Sequence, residues 1–218
     1  MTADIFDEAN VLGYEIIKIG HPALRRISQK IPEDMLGSKE LLEFVDFMRR
    51  TLDTTEEFGT GLAAPQVGVN RELFITRIAK SYEDMLLFCK ASHLRVWINP
   101  VYEISNAEEL SGIEGCLSIP GYLGRVNRPK EIKVTALDEH GNHVVEHLSG
   151  SIARVFLHEY DHLKGELYID KLYADDSGRV ELYDENYFLD VLLEEKKKNM
   201  DKEWLYSRGF RMPDSKQA

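Results

Sequence analysis

The chain has 218 residues, 43% hydrophobic and 30% charged, and a formal net charge of -11, a balance that fits one globular domain with at most an appendage and excludes a disordered protein. The acidic excess argues against sequence-specific or coating contacts with nucleic acid through counterion release. No apolar run approaches the ~20 residues of a membrane span, and the acidic start lacks the basic opening of a signal peptide, so the expected location is the cytoplasm, with no membrane partner.

Residues 1–14 form a polar lead-in. A short apolar strand over Tyr14-Glu-Ile-Ile-Lys-Ile then runs into a turn at His21-Pro22, where His21 reads as a turn residue. Over residues 38–58, Leu41, Val45, Met48 and Leu52 recur at three and four, which predicts a helix capped by Ser38. Next comes Gly59-Thr-Gly-Leu-Ala-Ala-Pro-Gln-Val-Gly68, which reads equally as a plain buried turn between helix and strand or as a tight functional loop whose backbone approaches something closely and whose Gln66 amide can donate and accept. It is no phosphate loop, since no Lys-Ser or Lys-Thr pair closes it.

Short strands are expected over residues 73–78, 85–88, 95–98 and 101–104, separated by turn signals such as Asn99-Pro100. Residues 131–137 and 143–148 flank a hairpin turn at His140-Gly-Asn142. His140, His143 and His147 read as exposed hairpin residues, because residues four apart on a strand are too far separated to share one ion. With no helical pattern between these strands, the expected fold class is α+β, with antiparallel or mixed sheets around a central helix and a C-terminal helix over residues 182–204.

The central helix carries the chemistry. In Ser151-Ile-Ala-Arg-Val-Phe-Leu-His-Glu-Tyr-Asp-His-Leu-Lys-Gly165, apolar residues follow helical spacing, Ser149 or Ser151 is available as the N-cap, and Gly165 stops the helix. His158 and His162 lie one turn apart and about 40° apart around the axis, so two imidazoles can meet on one ion. Glu159 projects beside them, placed to move a proton on a metal-held water. On this motif alone an ordinary surface pair of histidines is the lesser alternative, and a catalytic metal needs a third ligand.

Only two cysteines occur, so no disulfide framework is legible. Cys89, in Met-Leu-Leu-Phe-Cys-Lys, reads as a small buried hydrophobe. Cys116 lies in Ser111-Gly-Ile-Glu-Gly-Cys-Leu-Ser-Ile-Pro-Gly121, which reads as an exposed turn able to present a thiolate. It suits the role of third ligand in a Cys-His-His set with one open position.

Together Gly59-Thr-Gly-Leu-Ala-Ala-Pro-Gln66, Glu114-Gly-Cys-Leu-Ser118 and His158-Glu-Tyr-Asp-His162 resemble, in order and spacing, the three signature motifs of the peptide deformylases, and His21-Pro-Ala-Leu-Arg25 is similar to that family's N-terminal segment. The resemblance implies a metal-dependent hydrolase that removes the formyl group from the N-terminal formyl-methionine of nascent polypeptides. It implies that Cys116, His158 and His162 bind one divalent metal, with Fe(2+) the family's ion and Zn(2+), Ni(2+) or Co(2+) fitting the same donors. Glu159 is then the general acid/base in attack of a metal-held hydroxide on the formyl carbon, and Gln66 with the Leu117 N–H stabilises the developing oxyanion. Gly59, Gly61 and Glu114 are expected on the substrate side. Leu123 stands where many family members have arginine, which bears on substrate-backbone contacts or on the surroundings of Glu114.

A zinc endopeptidase is the competing enzyme, but its extended motif wants a histidine where Tyr168 stands. A closed structural metal site is the non-enzymatic alternative. The domain expectation is a catalytic unit over residues 1–173 and a C-terminal extension over 174–218. Residues 196–218 carry seven Lys or Arg against three Asp or Glu, a basic tail that reads as a solvated helix end or as a contact to ribosomal RNA.

Overall fold

The computed structural model describes residues 15–55, 59–77 and 94–187. Its centre is an antiparallel sheet with the strand order β1 (Gly61–Ala63), β2 (Leu73–Arg77), β3 (Leu94–Cys116), β4 (Ile119–Leu137) and β5 (His143–Ser149), to which β6 (Leu182–Asp184) adds by pairing with β4. The helices α1 (Lys39–Thr54) and α2 (Gly150–Leu163) cover it, the α+β arrangement expected from the sequence.

Alternation along β2 and β3 explains why one helix lies on each face. Leu73, Ile75, Val96 and Ile98 pack with Leu41, Val45, Met48 and Leu52 of α1. The intervening Phe74 and Trp97 turn the other way and meet Ala153, Phe156 and Leu157 of α2, together with Ile132, Val134 and Leu148. Phe156 is the centre of this second layer: Phe74 and Trp97 approach it edge-on, each with ring centroids 5.1 Å away. Such contacts add roughly 0.5–1.5 kcal/mol apiece beyond the area they bury.

The helix ends follow local rules. Ser38 caps α1, its hydroxyl accepting from the Leu41 N–H at 3.2 Å. Ser149 occupies the N-cap of α2, as expected, but its side chain makes no capping bond. After α2, Gly165 takes φ +71, and a Cβ there would lie 2.7 Å from the Arg25 backbone, so this position needs glycine for both conformation and space.

Several expectations are corrected. β3 and β4 are far longer than the short strands read from the sequence, and they form one long hairpin. Asn99, with φ 49, sits at a register shift inside β3; its side chain accepts from the Ile31 N–H and donates to the Ile31 carbonyl, both at 2.8 Å, which holds a bulge where a turn was expected. The stretch read as an exposed turn around Cys116 is the tip of this hairpin: Leu117 and Ser118 form the turn, and Cys116 pairs with Ile119. Residues 15–18 have no regular secondary structure and Ile19 begins a turn, so the expected strand does not form; the segment is tied instead by the bonds from Ile17 N–H to the Gln66 carbonyl and from Ile19 N–H to the Ser118 carbonyl, each 2.8 Å. Residues 182–184 are strand, not the start of a helix. The turn at Asp175, whose carboxylate accepts from Ser177 and Arg179, reverses the chain so that β6 pairs with Tyr122, Leu123 and Gly124 of β4. Residues 185–187 are helical; the expected strand at 85–88, Cys89, residues 188–204 of the expected C-terminal helix and the rest of the basic tail lie outside the described residues. His140, His143 and His147 are exposed on the β4–β5 hairpin, as expected. No helix among the described residues is long and apolar enough to cross a membrane.

Two measurements test this packing. Phe156→Ala should cost about 3–5 kcal/mol, read as a lower denaturation midpoint in urea. Arg25 donates to Asp170 through both terminal nitrogens, and this pairing holds the Asp170 carboxyl below its ordinary range. Its stabilising contribution is therefore complete above the unfolded value of about 3.9 and is lost as pH falls through the lower folded value. Asp170→Asn should flatten that part of the acid limb in unfolding curves collected from about pH 5 to about pH 2.

Candidate metal centre

Three segments distant in sequence meet at one end of α2. The hairpin tip supplies Cys116, α2 supplies His158, Glu159 and His162, and the chain from β1 through the following 3-10 turn (Ala64–Val67) supplies Gly61 and Gln66. One ligand atom each from Cys116, His158 and His162 lies within 4.8 Å of the others, and the Cys116 Sγ is 3.3 Å from His162 Nε2. Sulfur and nitrogen ligands of one tetrahedral ion stand about 3.5 Å apart, so this spacing fits a shared cation. Two further observations agree with that fit. The buried Glu159 Oε2 has no hydrogen-bond partner among the described residues, and the mixed thiolate and imidazole set suits zinc, iron, cobalt or nickel.

Cys116 is only 9% exposed, so the thiol is not presented to solvent as the sequence reading expected; the strand alternation at the hairpin tip turns it inward. Burial pushes this thiol up, but the neighbouring His162 and His158 outweigh burial and hold it well below its ordinary range. Glu159 shows the opposite balance. Its burial exceeds the favourable field of His158 and His162, and its carboxyl is pushed up to about 7.

The oxygen-rich side of the site is built around Gln66, which is 1% exposed. Its Oε1 accepts from the Ala63 N–H at 2.8 Å, which fixes the amide orientation and leaves Nε2 directed at Ser118 Oγ, 3.2 Å away, and Cys116 Sγ, 3.6 Å away. Leu117 is half-buried beside it, and its carbonyl accepts from Lys18 Nζ at 2.8 Å. At Gly61 a Cβ would fall 2.4 Å from Glu159 Oε1, which is the close backbone approach the glycine-rich motif implied. Gly59 is similarly confined, against Leu52 and Leu117.

Glu114 was expected toward the substrate, yet its carboxylate is turned inward and fully engaged. Arg128 donates to both oxygens at 2.9 Å, Arg154 donates to Oε1 at 2.9 Å, and His158 Nδ1 is 2.9 Å from Oε2. Burial alone would raise this carboxyl, but the hydrogen bonds from Arg128 and His158 hold it far below its ordinary range, so it is a carboxylate at any working pH. Contact with Glu114 Oε2 leaves the His158 Nε2 edge as the one that turns toward Cys116 and His162. Leu123, in the place of the family's arginine, does not disturb this arrangement; it pairs with Gly115 on one side and Tyr183 on the other.

Arg128 and Arg154 escaped the sequence reading, which noted Ser118 and Tyr168 but gave neither a role at the site. Tyr168 stacks on His158 with ring centroids 6.1 Å apart and donates to the Tyr122 carbonyl at 3.0 Å. Only Arg154 left a usable signal, lying four residues before His158 and so on the same helix face.

Residues 13–177 match the polypeptide deformylase family model, a span that contains all three segments of this site. The chain is 38% identical to peptide deformylase 3 of Streptomyces avermitilis over 72% of its own length and 70% of that protein, and 39% identical to peptide deformylase 2 of Pseudomonas putida over 72% and 86%. Among solved structures it resembles peptide deformylase from Thermotoga maritima (TM-score 0.63, 32% identity, 73% of this chain and 97% of that one). It also resembles the Met-Ala-Ser-bound class I type b peptide deformylase of Acinetobacter baumannii (TM-score 0.64, 30% identity, 72% and 97%). A thiol and two imidazoles gathered at one helix, on a sheet whose described fold these enzymes share, thus come from a chain that belongs to the polypeptide deformylase family of hydrolases.

Proposed function

We propose that this protein removes the formyl group from N-terminal formyl-methionine of new polypeptides, using one divalent metal held by Cys116, His158 and His162. The observation that carries this reading is the meeting of those three donors with the Glu159 carboxylate and the Gly61 backbone in one buried site. It is supported by a relative solved with Met-Ala-Ser bound.

The substrate lies along β1. This strand ends the sheet, and since Thr60 and Leu62 are the residues turned toward β2, alternation sends the polar backbone groups of Gly61 to the open side. An extended peptide adds there as a further strand, with Gly59 admitting it closely and its formyl end brought to Glu159. A formamide resists attack by water at neutral pH; a bound divalent ion supplies the missing reactivity by lowering the pKa of water from about 15.7 to about 7. Glu159 takes the proton of the attacking water and delivers it to the leaving amine nitrogen, which cannot depart as an anion. Gln66 Nε2 and the Leu117 N–H donate to the carbonyl oxygen as it gains charge, and the Ala63 N–H keeps the Gln66 amide from turning. Glu114 serves the site from behind, holding His158 in the tautomer that offers Nε2. Iron is the ion this reading assigns in the cell, and the cytoplasm is where formylated chains are made.

The catalytic unit is proposed over residues 1–173, most of which the family match over residues 13–177 covers, with residues 174–218 as an extension whose first part, β6, pairs back onto β4. The basic stretch 196–218 is proposed to orient the enzyme toward ribosomal RNA, where its substrates emerge. Deleting that stretch should weaken cosedimentation with ribosomes at low salt; unchanged cosedimentation removes this contact from the picture.

The hydrolysis itself is tested with formyl-Met-Ala on anaerobically purified protein, with metal analysis of the same sample. Cys116→Ala should lose the metal. Glu159→Gln should keep it and lose roughly 10²–10⁴-fold in kcat, and Gln66→Ala should lose roughly 10²–10³-fold. Metal-replete wild type that leaves the formyl group in place, or Cys116→Ala that still binds the ion tightly, would defeat this reading.

A further inference from the structure

Glu114 is held from three sides, and its two arginines hold it differently. Arg128 is shared: one terminal nitrogen donates to Asp161 of α2 at 2.6 Å while the rest of the guanidinium grips Glu114. Arg154 instead reaches from α2 into the hairpin. Its Nη1 donates to Glu114 Oε1 at 2.9 Å and to the Val126 carbonyl of β4 at 2.8 Å, and its Nη2 donates to the Leu110 carbonyl of β3. One side chain, a helical turn before His158, thereby bonds the helix to both strands and to the carboxylate that touches His158.

The space for this guanidinium is provided by a missing side chain. A Cβ at Gly112 would lie 2.7 Å from Arg154 Cζ and 2.8 Å from Nε and Nη2. Gly112 has no left-handed backbone angle, so its conformation accepts other residues. What the position excludes is a side chain occupying the place of the guanidinium.

We propose that Arg154 is a positioning residue for the metal centre, acting through Glu114 on His158, and that Gly112 is the gap that admits it. This inference rests on the reading of Cys116, His158 and His162 as metal ligands. With Arg128, Arg154 and His158 all bonded to it, the Glu114 carboxylate is fixed in rotation as well as in place. Arg128 holds both Glu114 oxygens, while Arg154 alone ties that carboxylate and the Leu110 and Val126 carbonyls to α2 one turn before His158; without Arg154 the carboxylate and the His158 ring are no longer held in register. Loss of an outer partner that orients a ligating histidine typically costs about 10–100-fold in metal affinity. Arg154 does not itself touch the ligand atoms, and its effect is on their alignment.

The test compares wild type, Arg154→Met, Arg154→Lys and Gly112→Ala by zinc affinity in chelator competition, by the absorption bands of the cobalt-substituted protein, and by kcat and KM on formyl-Met-Ala. Glu139→Gln, which breaks the Arg49–Glu139 pair away from the site, serves as the control for a purely structural ion pair. Arg154→Met and Gly112→Ala should each weaken zinc binding about 10–100-fold, move the cobalt bands and lower kcat with KM nearly unchanged, while Arg154→Lys recovers part of the loss. Glu139→Gln should change stability alone. If Arg154→Met does not fold, Gly112→Ala decides, because there the arginine remains and only its flexible end is displaced. Folded Gly112→Ala with wild-type zinc affinity and cobalt spectrum overturns the proposal, as does its failure to fold; the ligand reading survives either result so long as Cys116→Ala loses the metal. Wild type that takes up neither ion overturns both.

Discussion

The structure depends on one buried carboxylate. Glu114 lies inside the β3–β4 hairpin, and through it two guanidiniums and an imidazole from different elements are brought to a common point. Removing such charges from water costs several kcal/mol per ion unless their partners are complete, and a half-made network is worse than an apolar core. The hairpin and α2 can therefore dock in only one relative position without leaving a buried charge unmatched. That position brings Cys116 to His162. Hydrophobic burial around Phe156 provides most of the attraction between the same elements, but it is non-directional. The ion network supplies the orientation that burial does not.

The N-terminal segment and the glycine-rich loop make a second, lighter frame. Ile17 and Ile19 bond to the carbonyls of Gln66 and Ser118, so the two loops that face each other across the site are laced together by a chain passing behind them. Ser118 receives the Gln66 amide on the inner side. The donor proposed for the oxyanion is thus fixed by backbone contacts on one side and by a buried hydroxyl on the other, with little reorganisation left for the moment of reaction.

Much of this was legible in the sequence, for identifiable reasons. His158, Glu159 and His162 could be read because helical spacing converts sequence directly into geometry, and α1 because Ser38 and its apolar period agree. The long strands were missed because Asn99, Gly112, Gly115 and Gly124 look like turn residues when they mark a bulge or places where another group crosses the ribbon. Cys116 was read as exposed because a turn does follow it, while its own inward direction comes from pairing with Ile119. Arg128 and Arg154 were invisible for a different reason. A guanidinium reads as a surface group until its acceptors are known, and those acceptors lie up to 44 residues away.

Gly61 sets a limit on how this site can change. Every replacement of a glycine by another amino acid introduces a side-chain carbon, and here that carbon would occupy the place of the Glu159 carboxylate. The position is closed to drift and to engineering alike. Any broadening of what the enzyme accepts has to be found elsewhere around the site, where a new side chain does not compete with the Glu159 carboxylate for the same volume.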